Sequence, residues 1–309
     1  MKKPRLLPSV TTLLPLLFLQ CSGDDVGSSQ ATDAALDPTA MPTTSAVPSA
    51  TETAPAPTTS VPPVVTPTST PPTSTAPTST VPPSPPCAPP AVVCEDFEAG
   101  AIHTDVWEVR APNGSVEVVT DRVAHGKYAM KTHTVASAQS QAQIVQTKFL
   151  GGNFYGRMYV YFQEPAANAH AAMFEGLGAD PAGTYAMSIA MGRMRPFIGY
   201  QRNNPFRDMG TNSRVNVATA KWVCVEWNFR PTEGTNNTLW LDGVEIAAIH
   251  PGGKFSDGST EPFLVPAFSE ARIGWSHVAH DDPAPSIDIW FDDVAFGPER
   301  IGCLPNAAP

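Results

Sequence analysis

Between Asp24 and Pro90 the chain carries almost no side chain able to build a core; it is Thr, Pro, Ser, Ala and Val, in runs such as TSTPPTSTAPTSTVPPSPP. Proline lacks a backbone donor and biases the chain to extended polyproline II. The stretch is therefore expected to be a disordered, semi-stiff spacer. Its Thr/Pro near-repeats are low complexity and not a solenoid. The division expected is a linker over residues 22–91, one folded domain over 92–305 and a tail at 306–309. About 210 residues suffice for one domain with a sizeable core.

Ahead of the spacer stand Lys2, Lys3 and Arg5, an apolar run ending at Leu19, and Cys21 before a polar acidic stretch. An apolar core of about ten residues is too short for a membrane span, which needs roughly twenty, and reads as an export signal. The Cys directly after the run resembles a bacterial lipoprotein signal, which implies cleavage before Cys21 and a lipid on its thiol, over residues 1–21. Gln20 and Phe18 depart from the small residue and Leu usual there. A plain secretory signal cut nearby is the alternative, with the same compartment and no anchor. Ser22, rather than Asp, after the Cys points to the outer membrane or cell surface.

The formal net charge is -10, with no basic block, so nucleic acid is not an expected partner. A monomer is expected. Setting Cys21 aside leaves Cys87, Cys94, Cys224 and Cys303, an even number in an exported chain, which favours two disulfides. Three connectivities exist. Cys87 with Cys303 and Cys94 with Cys224 is favoured, on the ground that first and last strands of such domains lie side by side. The spacings are wide and no CxxC occurs, which argues against zinc.

Strand signals dominate the folded part. Residues 115–121, 128–135, 141–149, 154–162, 185–192, 196–201, 222–230 and 237–249 alternate or are rich in β-branched and aromatic side chains. Asp242-Gly243 between two alternating arms predicts a tight hairpin turn. Residues 166–178 contain helix formers but are bounded by Pro165 and Gly176, which allows at most a short helix or a strand after a loop. Many short strands without βα alternation argue for an all-β, two-sheet antiparallel sandwich.

VCEDFE, HGKYAMKTH, YGRMYVYF, WVCVEWNF with LWLDGVEI, and IDIWFDDVAFG, in that order, resemble the concanavalin A-like jelly rolls. The order is most similar to the cellulose-inducible, polysaccharide-lyase-like secreted proteins, relatives of glucuronan lyase. The likeness covers Cys94 to Cys303 as a pattern of strands. It implies a jelly-roll domain that acts on or binds an acidic polysaccharide.

Two constellations could carry chemistry. Glu95, Asp96 and Glu98 on the first strand and Asp292 and Asp293 on the last would repel one another if the strands neighbour, unless a cation lies between them. A hard, oxygen-ligated ion such as Ca2+ suits that place. The resemblance implies a structural calcium held by Glu98, Asp293 and a carbonyl near His125 to Lys127.

The second is the strand Tyr155 to Phe162, whose two-residue period puts Tyr155, Arg157, Tyr159 and Tyr161 on one face. In a groove, phenols offer platforms for sugar rings and Arg157 a bidentate partner for a uronate carboxylate. β-Elimination needs such a neutraliser, a base and an acid. Arg157, Tyr159 and His170 are the catalytic candidates, with Tyr155, Tyr161, Arg193, Tyr200, Gln201 and Glu226 as substrate contacts. The alternative is that the tyrosines cover the sheet and Arg157 pairs with a structural acid such as Glu175. No ExDxxE strand supports a retaining glycoside hydrolase. His277, His280 and Asp281 precede two prolines and read as an exposed loop. A non-catalytic glycan-binding module and a structural envelope protein remain alternatives to a lyase.

Overall fold

The computed structural model describes residues 87–305, except 138, 148–150, 152, 167–169, 181–182, 193, 204–205, 231–234, 251–254, 256–257, 259–264, 266 and 279–284. Cys21, the linker up to residue 86, Arg193, His280, Asp281 and the tail lie outside the described residues.

Among these residues there are fifteen strands and no helix. In chain order they are β1 (Val93–Glu95), β2 (Glu108–Arg110), β3 (Gly114–Val119), β4 (Ala129–Thr134), β5 (Gln139–Gln146), β6 (Phe154–Phe162), β7 (His170–Asp180) and β8 (Gly183–Gly192). There follow β9 (Arg195–Asn203), β10 (Phe206–Asn212), β11 (Trp222–Phe229), β12 (Asn237–Leu241), β13 (Val244–Ile249), β14 (Glu270–Val278) and β15 (Ile287–Gly297). One sheet has eight strands in the order β13-β12-β11-β6-β15-β4-β3, with β1 also on β15. The other has seven, in the order β10-β9-β8-β7-β14-β5-β2. All pairings are antiparallel. This is the expected two-sheet sandwich.

The core lies between the sheets because each strand turns one set of alternate residues inward. From β6 come Phe154, Met158, Val160 and Phe162, and from the facing sheet Phe174, Ile189, Ile198 and Trp275, all buried. Rings meet across the gap: Phe154 with Phe174 at 6.0 Å, Phe162 with Trp275 at 5.9 Å and Trp227 with Phe174 at 4.8 Å between centroids. Tilted and edge contacts of this kind are what aromatic quadrupoles favour.

Asp242 and Gly243 form the expected turn, with φ of 47° and 80°. Asp242 also accepts a bond from the Cys224 amide at 2.9 Å, tying the hairpin to β11. Residues 170–180 are strand throughout, paired on both sides by β8 and β14. Gly176 and Gly178 disfavour helix, and Gly176 admits the Phe268 ring, which a Cβ there would meet at 2.9 Å. Sequence reasoning did not find β2, β10 or β14. The β14 alternation Ala271, Ile273, Trp275 faces the core, but Gly274 at φ 137° breaks the strand signal at the register shift between Ile273 and Ser276.

The disulfides correct the expected connectivity: they join Cys87 to Cys94 and Cys224 to Cys303. First and last strands do lie side by side, but their register sets Cys94 opposite Ala295, near the C-terminal end of β15. Cys303 lies beyond that strand, where the chain has turned back across β11 to Cys224.

Gly156 on β6 faces the Trp227 ring so closely that a Cβ would lie 2.3 Å from it. Trp227 is fully buried and cannot retreat. Gly156→Val is expected to cost about 1–3 kcal/mol or more through overpacking, read as a lowered urea midpoint; an unchanged midpoint would contradict this packing.

Candidate functional site

The row Tyr155, Arg157, Tyr159, Tyr161 occupies the outer face of the eight-stranded sheet, and the C-terminal segment seals its centre. Arg157 is 1% exposed. Its Nε donates to the Asp293 carbonyl and its Nη1 to the Gly302 carbonyl, both at 3.3 Å. Tyr159 donates to the Leu304 carbonyl at 2.9 Å. Glu226, opposite Arg157 on β11, accepts from Arg300 Nη2 at 2.7 Å and from the Gly302 amide at 2.9 Å. The Cys224–Cys303 bond locks the segment down. Tyr161 packs edge-on against Trp222 and Trp290 under Arg122.

Arg157, Tyr159, Tyr161 and Glu226 are thus corrected from groove residues to members of a sealed outer layer. Burial pushes the Tyr159 hydroxyl up to about 12, which suits a fixed hydrogen-bond donor. Burial also pulls the Arg157 guanidinium down, against the charge of Asp293 first among its neighbours. Tyr155 stands half-buried at the end of the same row.

Next to this layer, the acids of β15 and of the turn after β1 converge on one loop. Asp292 Oδ2 accepts from the amides of Ala124 at 2.8 Å and His125 at 3.3 Å, and its Oδ1 accepts from the Asp293 amide at 2.8 Å. Asp293 pairs with His125 Nδ1. Glu98 Oε1 accepts from the amides of Lys127 at 2.8 Å and Tyr128 at 3.0 Å. Gly126, at φ 73°, leaves room for the Glu98 carboxylate, which a Cβ would strike at 2.3 Å. Burial, and then the neighbouring Asp293, push the Asp292 carboxyl up to about 9.

The outer face of the seven-stranded sheet is different. Arg272 on β14 stands directly opposite Glu175 on β7, and Glu175 opposite Ser188 on β8. Gln143 Nε2 donates to Glu175 Oε2 at 2.9 Å. Arg272 Nε is also paired with Glu270, which Arg110 Nη1 reaches at 2.9 Å from β2. Glu175, Gln143 and Arg272 are all buried. Burial raises the Glu175 carboxyl, against the pull of Arg272 and then Gln143.

His170 lies on this same face at the start of β7, opposite Gly192 and 5.3 Å from the Phe197 ring. Gln201 lies there too, opposite Asp208 on the edge strand. Of the predicted site residues, His170 and Gln201 lie on this face but at opposite ends of it, His170 opposite Gly192 and Gln201 opposite Ala186. Tyr200 is the neighbour of Gln201 and points inward, 1% exposed, against Phe255. The charged residues that sequence reasoning missed, Glu270 and Arg272, lie on the unrecognised β14. Their signal was the alternation Glu270, Arg272 against Ala271, Ile273. Glu175 has Arg272 opposite it, not Arg157.

The fold is a two-sheet antiparallel jelly-roll sandwich. The chain belongs to the polysaccharide-lyase-like family described as Cip1-like, core domain, which it matches over residues 96–299. Among solved structures it is similar to "Cellulose induced protein, Cip1", with 21% identity and a TM-score of 0.54 over 68% of this chain and 99% of that one. The receptor-binding domain of botulinum neurotoxin type G shares 11% identity at a TM-score of 0.42, over 69% of this chain and 48% of that one, and carries no further argument. A comparison with curated proteins gives no match.

Two outcomes follow. Arg157→Ala, by leaving Asp293 and the C-terminal carbonyls buried without their cation, is expected to cost about 3–5 kcal/mol of stability, measured by urea unfolding; a folded, equally stable variant would sink the structural role. An unfolded aspartate loses its proton near pH 4, whereas Asp292 holds its own to about 9. The folded state binds more protons across that window, so this contribution to stability is complete below it and lost as pH rises through it. The urea midpoint should fall steadily from mildly acidic to mildly alkaline pH. A midpoint that rises across the range would contradict the assignment.

Proposed function

We propose that the domain binds an acidic polysaccharide across the outer face of the seven-stranded sheet. The observation that carries this reading is the buried row Gln143, Glu175 and Arg272, with Glu270 and Arg110 partly buried beside it, in a chain of a polysaccharide-lyase-like family. A uronate carboxylate needs donors held in place before it arrives. Gln143 and Arg272 offer such donors. Glu270 and Arg110 hold Arg272 in position from the sheet edge. Among these groups the arginine, through its planar fork, sets the preference for a carboxylate over a neutral sugar.

Cleavage by β-elimination is the second reading, favoured by His170. It lies on the same face, five residues before Glu175 on β7, and an imidazole is a group suited to take a C5 proton. Neutralising the carboxylate makes that proton acidic; the C4–O bond then breaks, and the leaving oxygen takes up a proton. In this reading the proton that the leaving oxygen takes up comes from water.

The two disulfides support an exported protein, since such bonds persist in oxidising compartments. Lipid at Cys21 with the Pro/Thr linker as tether is part of the same proposal. So is a structural calcium. Glu98 and Asp293 would hold it, because both grip the loop 124–128. Its contribution would be to tie the turn after β1, this loop and β15 together.

The purified chain is to be incubated with glucuronan, alginate and pectate while binding and the ultraviolet absorbance of unsaturated uronates are followed. Binding of one polyuronate, weakened about tenfold or more by Gln143→Ala and Arg272→Lys, is expected. A His170→Ala variant that binds but no longer generates absorbance would establish the lyase. No binding to any polyuronate by folded protein would overturn the proposal. For calcium, a higher melting temperature with the ion, reversed by chelator and absent in Asp293→Asn, is expected; equal melting in both buffers would remove it.

A further inference from the structure

Outside the face discussed above, the outer side of the eight-stranded sheet carries a polar depression that no part of the proposed function uses. Its volume is about 210 Å³, and its lining is Ser115, Glu117, Lys131, His133 and Asp288. The sheet register explains why these five meet. Ser115, His133 and Asp288 form one cross-strand row over β3, β4 and β15, and Glu117, Lys131 and Trp290 form the next. Residues directly opposite in antiparallel strands share a face, so both rows point outward together.

The groups are already paired. Asp288 Oδ1 is 2.7 Å from His133 Nδ1, and its Oδ2 is 2.8 Å from Lys131 Nζ. Lys131 Nζ also lies 5.2 Å from the Trp290 ring centroid. Lys131, His133 and Asp288 nevertheless keep 26%, 41% and 37% of their side-chain surface open. Although burial pushes the Asp288 carboxyl up, Lys131 and His133 hold it below the usual carboxylate range, so it remains an acceptor.

This chemistry excludes several ligands. An anion would meet two carboxylates, Glu117 and Asp288. A metal would meet the Lys131 ammonium, and the one close group of metal-ligating side chains among the described residues is elsewhere, at Cys224, Glu226 and Cys303, where both cysteines are in a disulfide. Clefts for drug-sized ligands measure roughly 300–1,000 Å³, so this depression suits one small unit. A compact, uncharged group with several hydroxyls fits both the acceptors and the donor in this lining. Carboxylates accept from adjacent hydroxyls, while an ammonium donates to them.

We propose that Ser115, Glu117, Lys131, His133 and Asp288 form a second glycan subsite that takes one neutral pyranose unit on the opposite side of the sandwich from the uronate-binding face. It rests on the proposed handling of polysaccharide only for the source of its ligand. Two weak sites on opposite faces of one domain would let it engage separate chains, or two stretches of one chain, with higher avidity than either site alone.

The test uses amide chemical-shift mapping of the purified full chain titrated with cellobiose, with a glucuronan oligosaccharide titrated separately. Expected are cellobiose shifts confined to Ser115–Glu117, Lys131–His133 and Asp288, at millimolar affinity, weakened about tenfold or more by Asp288→Asn. Ser115→Tyr, on an edge strand where added bulk reaches solvent, is a second variant that fills the depression and should abolish the shifts. Both variants should leave glucuronan binding unchanged. No cellobiose shifts at these residues, or shifts that survive both variants, would overturn the subsite whatever glucuronan does. Cellobiose shifts of the expected kind without any polyuronate binding would leave the subsite standing and remove the uronate reading instead.

Discussion

β15 is the strand on which the eight-stranded sheet depends. It pairs with β1, β4 and β6, and it shifts register between Asp292 and Ala295, with Asp293 at φ 50°. That irregularity frees the backbone where two carboxylates are wanted in succession. Asp292 collects three amide donors and Asp293 collects His125, so one strand both centres the sheet and holds the loop after β3. A regular ladder would send Asp292 and Asp293 to opposite faces, one of them into the apolar core.

The two outer faces divide the charged residues between them. On the eight-stranded sheet, Arg157, Glu226 and Arg300 are tied into the chain's own C-terminal segment. Their hydrogen bonds are used up in closing the structure. On the seven-stranded sheet, Glu175, Gln143 and Arg272 hold one another from adjacent strands. A row built from neighbouring strands is rigid because the backbone ladder sets its spacing, which is the preorganisation a ligand's carboxylate requires.

Alternation carried most of the fold into view. β6, β11, the β12–β13 hairpin with Asp242-Gly243, and β15 were all legible, since half-buried strands impose a period of two and a tight turn imposes its residues. β10 was not, because an edge strand needs little apolar content and FRDMGTN has little. β14 was hidden by Gly274. The site was read less well than the fold. The row from Tyr155 to Tyr161 was correctly placed on one face, but nothing in the period says whether that face is open or covered, and here Gly302 and Leu304 cover it. His170 and Gln201, expected in one groove with Arg157, lie on the outer face of the other sheet, and Arg272 was missed together with its strand.

By itself the sequence determined that the folded part is an all-β domain of two antiparallel sheets, that four cysteines pair in two disulfides, and that the residues of each strand divide into inner and outer sets. These follow from local chemistry: side-chain alternation, turn residues and the exclusion of a proline-rich stretch from any core. Only the tertiary structure decided which cysteines pair, which outer face is sealed, and which cation faces Glu175. Those outcomes depend on contacts between residues far apart in the chain, such as Arg157 with Gly302 and Glu175 with Arg272. Local periodicity does not encode strand order, and strand order determines which outward-facing residues become neighbours.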